Sequence, residues 1–243
     1  MKRPDGRHED EMRKVRIRRG YLRHAEGSVL IEAGHTHVVC SATVEDRVPS
    51  FRRESGGGWV TAEYGMLPRS SNVRIRREVG AHGVKGRTQE IQRLIGRSLR
   101  AITDLSLLGP RSVLVDCDVL QADGGTRTLS VTGAYVALAE AIEFLERQGV
   151  LDRSPLRDSV AAVSVGLVGK DALLDLSYEE DFTADVDLNV VMTGGGRFVE
   201  VQGTAEGTPF AESSLQKMLR LARKGISELT QIQAESLEGR KKS

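Results

Sequence analysis

The segment Gly124-Gly125-Thr126-Arg127-Thr128-Leu129-Ser130 stands between an apolar run, "SVLVDCDVLQA", and a long stretch with apolar residues at helical spacing. A strand, a glycine turn and a helix start make a seat for an anion. The first amides of a helix have no acceptor inside it, and the helix dipole adds positive potential there. Gly124 and Gly125 place no Cβ between those amides and an oxyanion. Thr126, Thr128 and Ser130 offer hydroxyls, and Arg127 offers a planar fork that matches two phosphate oxygens. Two glycines followed by a threonine also suit a plain capped turn. Arg127 tips the reading toward phosphate, because a cation at a helix start is unfavourable unless an anion sits beside it. The spacing is that of neither the P-loop nor the dinucleotide fingerprint.

A second group lies in "YEEDFTADVDLNVV", where Asp181, Asp185 and Asp187 precede an apolar strand. Period-two alternation puts Asp185 and Asp187 on one face. Such crowding fits Mg²⁺, which takes one or two carboxylates, several waters and substrate phosphates. A solvated acidic turn fits it equally. His35, His37 and His82 have no cysteine or histidine partners at zinc spacing and read as structural. No GxSxG or Cys/His arrangement points to a nucleophilic hydrolase. A phosphate seat, a Mg²⁺ site and clustered arginines suggest chemistry on a polyphosphate or a nucleic acid. The residues alone leave a kinase, a nuclease and a phosphorylase open.

These groups need elements to position them. "SVLIEAGHTHVVCSATVED" alternates around Gly34 and predicts a hairpin. A long glycine- and arginine-rich segment follows, with "GWVTAEYGM" its only strand-like part. Ile91, Leu94, Ile95 and Ile102 mark one face of a helix whose other face carries Arg93, Arg97 and Arg100. The helix after the glycine turn has Val131, Tyr135, Leu138, Ile142 and Leu145 on its stripe and Gly149 just past its end. About four strands with glycine turns follow, then a helix over 214–229 with Leu215, Met218, Leu219, Ala222, Ile226 and Leu229 on its stripe. Strand-then-helix order in both halves suggests an internal duplication. The expectation is one compact α/β unit over 1–243, with 236–243 a flexible tail.

The composition is that of an ordinary globular protein: 243 residues, 39% hydrophobic, 28% charged and a net charge of only +1. Cys40 and Cys117 lie in apolar strands and read as buried reduced thiols. The polar, basic N-terminus has no signal-peptide core, and no apolar run approaches the ~20 residues of a spanning helix. A cytoplasmic location without membrane contact is therefore expected.

"RPDGR" at 3–7, "GWVTAEYGMLPRS" at 58–70, "GRTQEIQRLIGRSLR" at 86–100, "CDVLQADGGTRT" at 117–128, "DLNVVMTG" at 187–194 and "EVQGTAEGTPF" at 200–210 together resemble the RNase PH family. Its members are phosphate-dependent exoribonucleases, also called tRNA nucleotidyltransferases. The resemblance implies a fold like domain 2 of ribosomal protein S5, duplicated within the chain, and a homohexameric ring built as a trimer of dimers. It implies inorganic phosphate as co-substrate, held by Arg87 and by Gly125, Thr126 and Arg127. It places Asp181 and Asp187, but not Asp185, as metal-binding carboxylates. In the polynucleotide phosphorylase branch a lysine stands where this chain has Asn189, and Leu129 replaces the family's usual alanine. The implied reaction trims tRNA precursor 3′ ends and releases nucleoside 5′-diphosphates. It runs backward with those diphosphates. Arg69, Arg74, Arg76 and Arg77 would guide single-stranded RNA by charge, or serve a subunit interface. The alternatives are a ring subunit of an archaeal or eukaryotic exosome, a catalytically inactive RNA-binding subunit of such a ring, and a small-molecule kinase on a related fold.

Overall fold

A computed structural model describes residues 3–78 and 83–238. His82 lies outside the described residues. The first sheet takes the order β1-β2-β3-β5-β4. Its strands are β1 (Val15–Arg19), β2 (Gly27–Ala33), β3 (Thr36–Glu45), β4 (Trp59–Met66) and β5 (Ser112–Gln121). β2 and β3 form the expected antiparallel hairpin. β1 lies in the basic N-terminus, where no strand was anticipated. Half-buried Val15 and Ile17 alternate there with exposed Arg16 and Arg18, and the strand pairs with β2 at the sheet edge. β4 runs parallel to β5, and helix α1 (Gly86–Ala101) joins them, burying Ile91, Leu94 and Ile95.

Helix α2 (Thr126–Arg147) leaves β5 through the glycine turn and packs on β2, β3 and β6. Protein covers it on both sides, so Val131, Ala134, Val136, Ala137, Leu138 and Ala141 are all buried, and the burial is wider than one stripe. Gly149, at φ 68°, follows its end as expected. Among the described residues α2 alone is as long and apolar as a membrane span, but 78% of that window is buried in protein. Cys40 and Cys117 face each other across β3 and β5 as buried free thiols.

The second sheet has the order β7-β6-β8-β9. It comprises β6 (Val160–Val168), β7 (Asp171–Leu174), β8 (Val186–Thr193) and β9 (Phe198–Ala205). The short helix α3 (Tyr178–Thr183) precedes β8. Helix α4 (Glu212–Glu238) lies on β6 and β7 and buries Met218, Ala222, Ile226 and Leu229. It runs past the expected end at 229. Buried Gln233 donates to the carbonyls of Thr132 (2.9 Å) and Val160 (3.0 Å), and Arg19 donates to those of Ser236 and Leu237. Residues 236–238 are thus helix rather than tail, because tertiary contacts satisfy a polar extension that shows little apolar periodicity. Residues 239–243 lie outside the described residues.

Candidate functional site

The N-terminus of α2 is the glycine-led helix start that the sequence suggests, with the hydroxyls used differently. Gly125 is the N-cap, at φ 67°, and the first helical bond runs from Leu129 N–H to the Gly125 carbonyl at 3.0 Å. The amides of Thr126, Arg127 and Thr128 therefore have no acceptor inside the helix. No side chain caps them, and no acidic residue occupies the first turn. Thr128 Oγ1 donates to the Gly125 carbonyl (2.9 Å) and Ser130 Oγ to the Thr126 carbonyl (2.8 Å), so neither hydroxyl serves an anion. Leu129, the unusual residue after the turn, is buried in the core.

Gly124 is needed for a reason that spacing alone does not show. It sits at φ 74°, and a Cβ there would lie 2.4 Å from the Leu176 carbonyl oxygen and 2.9 Å from the Tyr178 nitrogen. The chain of the second half presses directly on the turn, and only glycine allows that contact.

Arg87 is the second residue of α1, as Arg127 is of α2, and α1 also starts without a side-chain cap or an acidic residue. The two uncapped helix starts converge. Both guanidinium groups act electrostatically on Tyr64, Asp181 and Asp187. Arg127 donates to Gln202 Oε1 (3.0 Å) on β9 and pairs with Glu90 Oε1 (3.4 Å) on α1. Gln202 donates in turn to Glu90 at 2.6 Å. Tyr64 on β4 shares a 2.9 Å hydrogen bond with Thr126 Oγ1. Burial raises the Tyr64 hydroxyl above its usual range, while that bond and the two arginines draw it down. Tyr64, Glu90 and Gln202 are site residues that sequence reasoning missed. They sit on three different strands and helices, and each is unremarkable where it stands.

The carboxylates divide. Asp181 lies on α3, a helix that the sequence reading did not include, and Asp187 lies on β8. Desolvation in the cleft raises the Asp181 carboxyl, against the pull of Arg87 and Arg127. Asp187 is also raised, first by burial and then by the charge of Asp181, while Arg127 and Asn189 oppose. Asn189 Nδ2 lies 3.3 Å from both Asp187 oxygens and orients them. Asp185 does not join this face. It precedes β8, and its carboxylate accepts the Gly169 amide at 2.8 Å in the β6–β7 turn. The alternation rule fails for Asp185 because the residue stands outside the strand.

The basic N-terminus braces the site from behind. Arg3 is buried and donates through Nε and Nη2 to Glu180 of α3, both at 2.7 Å. Arg13 makes a two-pronged pair with Asp175 (2.9 and 2.7 Å) and donates to the carbonyls of Asp123 and Gly124. Arg7 donates to the Asp175 carbonyl at 3.0 Å. One arginine thus ties the glycine turn to the second half, and another fixes the helix that bears Asp181.

Arg69, Arg74, Arg76 and Arg77 are exposed after β4. Arg76 and Arg77 wall a cavity of about 350 Å³ that Tyr64 and Arg87 also line. Of the α1 arginines, Arg97 pairs with Glu200 (3.0 Å), and Arg100 stacks 4.5 Å from the Trp59 ring centre and donates to the Val60 carbonyl. His37 lies 3.7 Å from Glu32. Among the described residues no three His, Cys, Asp or Glu side chains cluster as a metal site. Two carboxylates with phosphate nearby still suit Mg²⁺, a hard ion that keeps several waters.

Comparisons with known proteins bear on the family and the fold. Residues 11–142 match the model of the 3′ exoribonuclease family, domain 1, and residues 158–225 match domain 2 of that family. The structure of rice (Oryza sativa) Rrp46 is similar, with a TM-score of 0.79 and 16% identity over 97% of this chain and 100% of that one. An Archaeoglobus fulgidus exosome with RNA bound to the active site matches with a TM-score of 0.77 and 25% identity, over 95% of this chain and 92% of that one. An archaeal exosome core matches with a TM-score of 0.75 and 25% identity, over 96% and 91%. The two sheets with their helices are the ribosomal protein S5 domain 2-like fold. With both family domains matched over most of its length, the chain belongs to the RNase PH family of 3′ exoribonucleases.

Proposed function

We propose that this protein is a phosphorolytic 3′→5′ exoribonuclease that trims the 3′ ends of tRNA precursors in the cytoplasm. The observation that carries this reading is the convergence of two uncapped, acid-free helix starts, bearing Arg87 and Arg127, on the carboxylates Asp181 and Asp187. Such a site suits two anions that must meet. Inorganic phosphate would lie on the amides of Gly125, Thr126 and Arg127, with the Arg127 fork on two of its oxygens. Arg87 would take the charge of the terminal phosphodiester, and Tyr64 would hold the Thr126 hydroxyl toward the phosphate. A phosphate oxygen attacks the terminal phosphorus, and the 3′ oxygen of the preceding nucleotide leaves and takes a proton. A nucleoside 5′-diphosphate is released. Phosphate is already an anion near neutral pH, so positioning and charge neutralisation carry the rate and no strong base is required. The bond broken and the diphosphate bond formed are similar in energy, so nucleoside diphosphates drive the reverse addition.

Asp181 and Asp187 would hold Mg²⁺ when it is present, with Asn189 orienting Asp187. The ion would supply positive charge to the reacting phosphates. Exposed Arg74, Arg76 and Arg77 would draw the RNA backbone along the cavity toward Arg87, without reading sequence. RNA in the active site of the Archaeoglobus fulgidus neighbour supports this substrate class. In this reading six copies form a ring as a trimer of dimers, which light scattering would register.

The test is incubation with Mg²⁺ and 3′-labelled RNA, with and without phosphate, followed by mass identification of the product. Diphosphates that appear only with phosphate are the expected result. Monophosphates without phosphate would make the protein a hydrolase. Bound RNA with no release under either condition would make it an inactive ring subunit.

A further inference from the structure

The six-residue helix that carries Asp181 also carries the most exposed large apolar side chain among the described residues. Phe182 is 79% exposed, and Tyr178, four residues earlier, is 52% exposed. Their rings stack on each other, with centres 6.3 Å apart and planes 30° apart. Residues at positions i, i+3 and i+4 of a helix share a face, so Tyr178, Asp181 and Phe182 point the same way. An aromatic plate therefore adjoins a carboxylate of the reactive cleft.

Its backbone is held firmly for so short a helix. Tyr178 N–H donates to Asp123 Oδ1 at 3.2 Å, directly beside the glycine turn. Glu180 accepts both Arg3 and the Ser177 amide. By contrast, Trp59 is already occupied by Arg100 and Arg52 and by the edge of Phe51, and Tyr64 is buried. A large apolar pair left in water on a rigid element calls for an occupant. Glu179 and Asp181 flank the rings and keep RNA phosphates off them, on the side of Arg87 and Arg127, which act on Asp181. A neutral, flat base is therefore the part of the chain that suits the rings.

We propose that Tyr178 and Phe182 form a stacking platform for a base at the 3′ end of single-stranded RNA, and so set where the terminal nucleotide sits relative to Asp181. This rests on the exoribonuclease reading and adds a base-binding subsite to it. Because every base has a π-face, the platform tolerates any sequence, in keeping with an enzyme that removes successive nucleotides.

Binding is measured with Mg²⁺ and without phosphate, so that no turnover is needed. The probe is a short single-stranded RNA with 2-aminopurine as its terminal base. Stacking quenches that fluorophore on the unmodified protein. Tyr178→Ala and Phe182→Ala should abolish the quench and weaken binding on the order of tenfold each, while Phe182→Trp restores both. With an RNA whose terminal nucleotide is abasic, the variants and the unmodified protein should bind alike. Equal losses on intact and abasic RNA would overturn the platform. So would unchanged RNA binding with a change in subunit assembly by light scattering, which would make the aromatic pair an interface between copies. A retained quench without any phosphate-dependent release would keep the platform and discard the phosphorolytic reading.

Discussion

At the scale of single residues, the site is a balance of charges around Arg127. Arg127 is engaged by Glu90 and Gln202, both of which phosphate would displace or share in the proposed reaction. Glu90→Gln removes a competing charge at nearly constant shape. The KM for phosphate should therefore fall, by up to about fivefold, because an exposed pair of this kind is worth about 1 kcal/mol or less. Initial rates at varied phosphate check this, and an increase in KM would mean that Glu90 aligns Arg127 and does not compete for it. Asp181 and Asp187 repel each other, since the charge of the first raises the carboxyl of the second. Mg²⁺ should raise the Tm of the unmodified protein at neutral pH and have little effect on Asp187→Asn, in thermal melts with and without the ion. Equal shifts in both proteins would place the ion elsewhere.

At the scale of elements, the glycine turn and α3 are one construction. The turn can pass under residues 176–178 only because Gly124 has no side chain and accepts a left-handed backbone. Gly124→Ala adds a Cβ 2.4 Å from the Leu176 carbonyl oxygen at φ 74°. The backbone strain alone is about 1–3 kcal/mol, and the contact adds to it. Urea unfolding should show a loss of at least that size, with phosphate-dependent release falling further than stability does, since the turn must shift to relieve the overlap. Much of this scale was legible beforehand. The hairpin, α1, β4, β5 and α2 follow from alternation and helical spacing. β1 was not, because its outward arginines masked a strand of five residues. Nor was the end of α4, which tertiary hydrogen bonds extend.

At the scale of the whole molecule, the N-terminal arginines join the two halves through buried ion pairs. Burial by itself would raise Asp175 and Glu180. The hydrogen bonds from Arg13 and Arg3 outweigh it and hold both carboxyls below their usual range. A carboxyl depressed on folding contributes stability that is present above its unfolded pKa and is lost as pH falls through the folded value. Stability should thus drop as pH falls below about 4, the ordinary carboxylate range. Denaturation curves from pH 3 to pH 7 check this. Arg3→Met alone should cost about 3 kcal/mol at pH 7, because it leaves buried Glu180 without its two-pronged partner and with Arg7 only at 3.6 Å. Arg3→Met/Glu180→Met should cost less and lose less stability on acidification. A double variant as unstable as the single one would mean that Arg3 acts through its backbone contacts and not through the pair.

The sequence by itself determined the local parts: an anion seat at a helix start, an arginine in its first turn, acidic residues before a strand, and the family that these motifs resemble. Those features are set by neighbours along the chain, so spacing and residue type reveal them. Spacing alone pairs Asp185 with Asp187, and the family resemblance picks Asp181 and Asp187. Only the tertiary structure gives the reason: Asp181 reaches the cleft from a helix and Asp187 from a strand, while Asp185 serves a turn. It alone decided that Tyr64, Glu90 and Gln202 meet Thr126 and Arg127 at the start of α2, and that Arg3 and Arg13 hold the halves together. These contacts join residues from 37 to 177 positions apart and depend on how two sheets pack around shared helices, which no local pattern of residues encodes.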